Sequence, residues 1–217
     1  TLQATVQKPT KKQDDSFLDA ISKRDAITGK RSLNVQNELA AYKQGRNTLN
    51  SLIKDYRNRG LAVLGAGNPD YDRVARISKR IIAASHYATR KGVRFEVIDS
   101  NEVNAFATGG GHYVVHTGLM NRLNDDELAF VIAHELVHNV AGHIEEQLPI
   151  LLLNIKKGVP ASIAYSNVQE QEADKVALVY TALAGYNPCA GVSWIGKMPL
   201  QLYETTHPSS LRRAATN

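Results

Sequence analysis

The stretch VIAHELVHNVAGH, residues Val131 to His143, carries three histidines inside a run that otherwise reads as an apolar helix. His134 and His138 are four residues apart, so at about 100° per residue they project from one face of that helix. Two imidazoles from one rigid element can reach a single metal ion in this way. Glu135 lies beside the first histidine, where its carboxylate can touch a metal-bound water without binding the ion itself.

Chance and burial both favour a metal site over an ordinary core helix. In a chain with 7 histidines among 217 residues, an accidental H-E-x-x-H match is expected about 0.01 times. A helix that is apolar on nearly every side is expected to be buried. Polar side chains buried there without partners would cost several kcal/mol, and a metal ion supplies the partner. The alternative is a core helix that carries two satisfied histidines and an exposed glutamate.

His143 is not expected to join this site. It follows His134 by nine residues and His138 by five, which places it about 180° and 140° around a continuous helix. On that geometry His143 faces away from the other two, so we predict a structural or surface role for it.

A third ligand is expected from another helix, within QEQEADKVAL, Gln169 to Leu178. Glu170 and Asp174 are four apart, so their carboxylates share a helix face. One can bind the metal while the other accepts the N–H of a ligand histidine. Glu172 points about 200° away from Glu170 and is predicted to be solvated.

Bulk composition describes an ordinary globular chain, with 43% apolar and 22% charged residues. The net charge of +5 is spread along the sequence, so nucleic acid is not expected as a partner. Cys189 is the only cysteine, which excludes an internal disulfide. No segment of the sequence approaches the roughly 20 apolar residues that cross a bilayer.

The order of predicted elements gives an α+β fold, mostly helical, with a small sheet or hairpin beside the H-E-x-x-H helix. Residues 1–32 read as a polar N-terminal arm and residues 33–217 as a single domain. Apolar periodicity and capping residues predict four helices, and alternation predicts a strand and a glycine-turn hairpin. The helices are Leu33–Tyr56, an Asn68-capped helix to about Lys91, an Asn124-capped helix continuing past His143, and Val168–Ala184; the strands are Val93–Ser100 and a pair within Asn104–Met120.

Five stretches in this order resemble peptidase family M48, the gluzincin zinc metallopeptidases: NAFATGGGHYVVHTGL, LNDDELAFVIAHELVH, EQEADKVAL, AGYNP and THPSSLRR. The resemblance runs from about Asn68 to Arg213. It implies a zincin-like metalloprotease domain that binds one Zn²⁺ per chain. Its ligands would be His134, His138 and Glu170, with Asp174 as the partner of a ligand histidine. Glu135 would be the general base that activates a zinc-bound water.

The resemblance also assigns roles near the end of the chain, in THPSSLRR. His207 would either donate a hydrogen bond to the oxyanion or occupy a fourth zinc position that keeps the site closed. Arg213 would buttress the loop or pair with a carboxylate. Family members built on transmembrane helices differ from this chain, so the soluble, envelope-type branch fits best. That branch implies a location in the bacterial periplasm or associated with a membrane of the cell envelope, with peripheral attachment left open.

A substrate site is predicted in the glycine-turn hairpin. An edge strand at His112–His116 can add an extended peptide by main-chain hydrogen bonds. The predicted substrate-binding residues are Gly110, Gly111, His112, Tyr113 and Val114.

Together these features predict a zinc-dependent endopeptidase that hydrolyses extended or misfolded envelope proteins. Its partner would be an unfolded or membrane-associated polypeptide, and the oligomeric state is left open. The alternative is a latent or non-proteolytic binding protein that keeps the zinc fold and grips extended chains. Glu135 argues against this alternative, because a protein that only binds has no need of that base.

Overall fold

The computed structural model describes residues 23–24, 31–32, 38–89, 92–144 and 165–197. The predicted α+β fold is confirmed, because these residues form mostly helices around a small mixed sheet. The strands are β1 Lys23–Arg24, β2 Arg31–Ser32, β3 Val63–Leu64, β4 Arg94–Ile98, β5 Ala105–Gly109 and β6 His112–His116. The helices are α1 Glu38–Asn58, α2 Pro69–Ala84, α3 Thr117–Met120, α4 Asp125–Val140, α5 Asn167–Leu183 and α6 Cys189–Lys197.

The main sheet has the strand order β3-β4-β6-β5. β3 runs antiparallel to β4, β4 runs parallel to β6, and β6 runs antiparallel to β5. Val115 of β6 therefore has a partner on each side, Val97 in β4 and Ala105 in β5. β6 is an interior strand, and β5 is an edge of the sheet. Within the predicted N-terminal arm, β1 and β2 form a separate antiparallel pair.

Helices cover both faces of the sheet, and the alternation of side chains along β6 decides which residue meets which helix. Val114 packs with Leu49 and Tyr56 of α1 on one face. Tyr113 and Val115 enter the main core on the other face, among residues of α2, α4 and α5. All five residues of β6 are buried, as expected for a strand that is covered on both sides.

α2 begins as its sequence predicts and ends earlier. The Asn68 side chain accepts a hydrogen bond from the Asp70 N–H at 2.9 Å, and Pro69 takes the first helical position, where a missing N–H costs nothing. The helix ends at Ala84, short of the predicted Lys91. The Ser85 hydroxyl donates to the Ile82 carbonyl at 2.9 Å, and this contact competes with continuation of the helix.

α4 is the helix of the H-E-x-x-H stretch. The Asn124 side chain accepts from the Glu127 N–H at 2.9 Å, and the Glu127 carboxylate accepts from the Asn124 N–H at 3.1 Å. This predicted capping box satisfies two amides that a helix start otherwise leaves without partners. The helix ends at Val140, and Gly142 follows with φ of 74°. The prediction that it continues past His143 is therefore wrong.

α5 brings the second set of acidic residues against α4. Ser166 and Gln169 form its capping box, and Gly185 follows its end with φ of 77°, as the glycine at this position predicts. Ala173 and Ala177 of α5 are fully buried in the main core. Their small side chains let the backbones of α4 and α5 approach closely, which is what a site shared between two helices requires.

Candidate metal centre

Burial of α4 on all sides holds its polar side chains in fixed positions. All its residues from Glu127 to Asn139 are buried. Core packing of this density leaves side chains in single rotamers. His134, Glu135 and His138 are between 0% and 2% exposed, so their donors and acceptors must be satisfied inside the protein.

Three of the predicted residues converge on one point. The Nε2 atoms of His134 and His138 are 3.0 Å apart. Glu170 Oε1 lies 3.2 Å from His138 Nε2, and Glu170 Oε2 lies 3.6 Å from His134 Nε2. Nitrogen and oxygen ligands at about 2.05 Å in a tetrahedron are roughly 3.3 Å apart. The three separations scatter around that value, so the geometry fits a small divalent cation.

This group stands alone in the part of the chain that the structure describes. There it is the only cluster of three histidine, cysteine or acidic residues whose ligand atoms could hold a metal ion. All three members are buried. Two imidazoles and a carboxylate form a donor set typical of zinc and of other first-row divalent metals.

Asp174 lies behind the first histidine, as the four-residue spacing from Glu170 predicts. Its Oδ1 atom is 3.0 Å from His134 Nδ1, and neither side chain is more than 2% exposed. A carboxylate at this position accepts the Nδ1 proton, which leaves the Nε2 lone pair directed at the metal position. Of the pair Glu170 and Asp174, the structure therefore directs Glu170 to the metal group and Asp174 to the ring behind it.

Asn139, which the sequence reasoning missed, ties α4 to the glycine turn of the sheet. Its Oδ1 accepts from the Gly111 N–H at 3.0 Å. Its Nδ2 donates to the His112 carbonyl at 3.3 Å and to the Glu135 carbonyl at 3.1 Å. The signal for it was a further polar residue, one turn after Glu135, on a helix that is apolar nearly all round. This one amide fixes the β5–β6 turn relative to the metal centre.

Two predictions about neighbouring residues are wrong. His143 does not face away from the site, since its Nδ1 lies 2.9 Å from His138 Nδ1 and the residue is 2% exposed. Gly142 ends the helical path before His143, so an angle extrapolated along a continuous helix does not apply. Glu172 is not freely solvated, because its side chain is only 18% exposed and its Oε2 lies 3.7 Å from His143 Nε2.

Tyr165, just before α5, is a further residue that the sequence reasoning missed. Its ring stacks on the His138 ring, with centroids 3.7 Å apart and planes inclined by 17°. Tyr165 also packs with Ala107 of β5 and Ile144. The contact of Tyr165 with both His138 and Ala107 places the edge strand next to the metal centre.

The predicted substrate strand requires a correction. His112–His116 is β6, which pairs with β4 on one side and β5 on the other. It is therefore not an edge strand; among the strands that the structure describes, β3 and β5 form the two edges of this sheet. Gly110 and Gly111 form the turn that joins the two strands. His207 and Arg213 lie outside the described residues.

The two histidines of β6 belong to the face of the sheet covered by α1. Burial lowers the pKa of His112 to about 4, and the nearby Arg94 charge adds to this effect. Burial also lowers the pKa of His116, although Glu102, 3.2 Å from its Nδ1, partly opposes this. His116 Nε2 lies 3.0 Å from the Tyr56 hydroxyl. Neither histidine belongs to the metal group on α4 and α5.

An H-E-x-x-H helix whose two histidines meet a glutamate of a second helix, beside a small mixed sheet, defines a gluzincin-type metallopeptidase domain. The sequence profile of peptidase family M48 matches residues 70–158. The match covers the H-E-x-x-H helix, so this part of the chain is similar to that family, in keeping with the ordered motifs of the sequence.

Several characterised proteins are similar to the chain. It is 34% identical to the mitochondrial metalloendopeptidase OMA1 of Arabidopsis thaliana, a match that covers 63% of this chain and 33% of that protein. It is 30% identical to the mitochondrial metalloendopeptidase OMA1 of Schizosaccharomyces pombe, a match that covers 84% of this chain and 60% of that protein. It is 32% identical to the metalloprotease YcaL of Escherichia coli, a match that covers 50% of this chain and 44% of that protein. The chain thus spans between a third and three fifths of the length of these relatives.

None of the helices in the described ranges combines the length and the apolar content that a bilayer crossing requires.

Proposed function

We propose that the protein is a zinc-dependent endopeptidase that hydrolyses peptide bonds in extended polypeptides. The observation that carries this proposal is the convergence of His134, His138 and Glu170 at tetrahedral separations in a buried position. Asp174 behind His134 supports it, since a histidine that binds a metal usually donates its other ring N–H to a carboxylate or carbonyl group.

Zinc is the ion proposed for this donor set, at one per chain. When bound with three protein ligands, it supplies a Lewis acid that acidifies a water and polarises a carbonyl group. His134 and His138 would hold it through Nε2, and Glu170 through a carboxylate oxygen. The tautomer set by Asp174 leaves the His134 lone pair available for this role.

Glu135 is proposed as the general base. It sits between the two histidines in sequence and is fully buried, and a carboxylate in such a setting can exchange protons with a group held nearby. Glu135 would take a proton from the attacking water as the new C–O bond forms at the scissile carbonyl. It would then give that proton to the amine nitrogen as the C–N bond breaks. His207 remains a proposed oxyanion donor or fourth metal ligand, and Arg213 a proposed support for it.

Substrate binding is proposed at β5 rather than at β6. Ala105–Gly109 pairs with β6 on one side, and no strand in the described part of the chain pairs with its other side. An extended polypeptide can add to such an edge by main-chain hydrogen bonds. The packing of Ala107 with Tyr165, and of Tyr165 on His138, would bring the bound chain past the metal position. Gly110 and Gly111 would shape the end of that groove.

The substrates are proposed to be unfolded or misfolded proteins, because main-chain pairing reads side chains weakly. A bacterial periplasmic or membrane-associated location is proposed for the chain. Support comes from its 25% identity to the beta-barrel assembly-enhancing protease of Escherichia coli, which covers 54% of this chain and 30% of that protein.

The test compares casein cleavage and metal content in the purified wild type, Glu135→Gln and Glu102→Gln. Removal of a general base lowers turnover by about 10²- to 10⁴-fold, so Glu135→Gln should lose cleavage and keep about one zinc per chain. Glu102 is a half-exposed carboxylate on the α1 side of the sheet, and its variant should cleave like wild type.

Each other outcome counts against part of the proposal. Equal cleavage by wild type and Glu135→Gln rejects the role of Glu135. A wild type that binds no metal rejects the metal centre. Zinc uptake without cleavage, together with retention of unfolded casein on the immobilised protein, would favour the non-proteolytic binding protein.

A further inference from the structure

His138 has a polar contact on the side of its ring that faces away from the metal group. Its Nε2 faces His134 and Glu170, and its Nδ1 lies 2.9 Å from Nδ1 of His143. Gly142, with φ of 74°, turns the chain after the end of α4 and brings the His143 ring back against the helix. Both rings are almost completely buried, so this contact is shielded from water.

The protonation state of a metal-bound histidine decides which of the two rings donates the hydrogen bond. A neutral histidine that binds a metal through Nε2 carries its proton on Nδ1. His138 therefore donates, and the facing Nδ1 of His143 must accept. A neutral His143 then carries its own proton on Nε2. That atom lies 3.7 Å from Glu172 Oε2, so the carboxylate is within electrostatic reach of the proton.

We propose that His143 is the positioning residue for the metal ligand His138, with Glu172 holding His143 in the accepting tautomer. This inference rests on the proposed metal function and deepens it. The two ligand histidines would then be oriented differently. Asp174 reaches His134 directly, whereas the carboxylate of Glu172 acts on His138 through an intervening imidazole.

Tyr165 completes the restraint on His138. The stacked Tyr165 ring, at 3.7 Å between centroids, limits rotation of the His138 ring out of its plane. The hydrogen bond to His143 sets which ring edge faces the metal. Together the two contacts fix both degrees of freedom of the ligand ring before a metal arrives, which lowers the cost of binding one.

The test uses two variants of similar size, of which only one keeps an acceptor atom at the position of Nδ1. Asparagine carries its carbonyl oxygen two bonds from Cβ, where the Nδ1 atom of histidine stands, and leucine has no acceptor there. His143→Leu should weaken zinc binding by about 10- to 100-fold, the usual effect of losing a group that orients a metal ligand. His143→Asn should stay within about threefold of wild type, because it still accepts the His138 proton.

Zinc affinity is measured by competition with a chromogenic chelator, and the cobalt-substituted proteins give a second readout. The visible absorption of Co²⁺ reports ligand geometry, so it should change in His143→Leu and stay close to wild type in His143→Asn. His116→Asn is the matched control, since His116 is also fully buried and is bonded to Tyr56 instead. It should leave zinc affinity and the cobalt spectrum unchanged.

A measurement on the unaltered protein covers the case in which His143→Leu does not fold. Long-range ¹H–¹⁵N spectra of the zinc-loaded wild type should show His138 protonated at Nδ1 and His143 at Nε2. Protonation of His143 at Nδ1 would overturn the inference. Equal zinc affinities for wild type, His143→Leu and His143→Asn would do the same, as would equal losses of zinc affinity in the two variants. A wild type that takes up no zinc would instead reject the proposed function itself.

Discussion

Gly45 on α1 marks the closest approach between that helix and the β5–β6 turn. A Cβ atom built there would stand 2.1 Å from the Gly109 carbonyl oxygen and 3.1 Å from the Gly110 nitrogen. Both are backbone atoms, so no flexible side chain can move aside. Gly45→Ala must separate α1 from the turn by more than an ångström.

The energy change follows from two opposing effects. Alanine in a helix interior is about 1 kcal/mol more favourable than glycine. Overpacking against rigid backbone costs about 3 kcal/mol, the upper part of the usual range. A net loss of about 2 kcal/mol corresponds to a melting temperature roughly 4–8 °C lower in a domain of this size. Peptidase activity should fall as well, because Asn139 joins the same turn to α4.

Thermal unfolding followed by circular dichroism measures this change, with Asn47→Ala as the control. Asn47 lies two residues further along α1 and is exposed, so its variant shows the propensity gain without the clash, about 0.7 kcal/mol or less. A Gly45→Ala protein that melts at or above the wild-type temperature would refute the close contact between α1 and the turn.

Two further predictions concern the site and the sheet. Asp174→Asn should weaken zinc binding by about 10- to 100-fold in a chelator competition while the circular dichroism spectrum is retained; wild-type affinity would mean that Asp174 does not set the His134 tautomer. Burial lowers the pKa of His112 to about 4, so its stabilising contribution is complete above the unfolded pKa of about 6.5 and is lost as pH falls toward 4. Urea unfolding at pH 7 and pH 5 should therefore show a smaller loss of stability on acidification for His112→Gln than for wild type. Equal losses in the two proteins would mean that His112 does not cause the pH dependence.

The residues of the metal group could be predicted from the sequence because each pair lies within a single helix. Within one helix, residues four apart share a face whatever surrounds them, so the pairs His134 with His138 and Glu170 with Asp174 needed only the helix assignments. Capping residues fixed those assignments, as at Asn124. That Glu170, and not Asp174, is the third ligand came from the family resemblance rather than from spacing.

The position of His143 cannot be predicted by extrapolating along α4, because the helix ends at Val140. The angle of about 140° from His138 holds only where the backbone stays helical. Glycine is the residue most often found in the left-handed conformation that ends a helix, and Gly142 adopts it. If α4 is predicted to end before Gly142, helix geometry makes no prediction for the direction of His143.

The position of β6 in the sheet depended on a contact that is distant in sequence. A glycine turn predicts that β5 and β6 pair, and the structure confirms that pairing. The parallel pairing of β6 with β4 closes the other side of the strand, and no turn residue specifies it. The continuous run HYVVH was a hint, since strands buried on both faces lack polar alternation.

If β5 binds substrate as proposed, its short length would decide which proteins can be cleaved. Five residues of strand extend about 16 Å, and a chain that pairs along them must first release its own secondary structure over a similar length. Proteins whose segments open at little free-energy cost would be cut soon, while tightly folded neighbours would survive in the same compartment. Selectivity would then be a property of the substrate's local folding equilibrium, with no recognition sequence required.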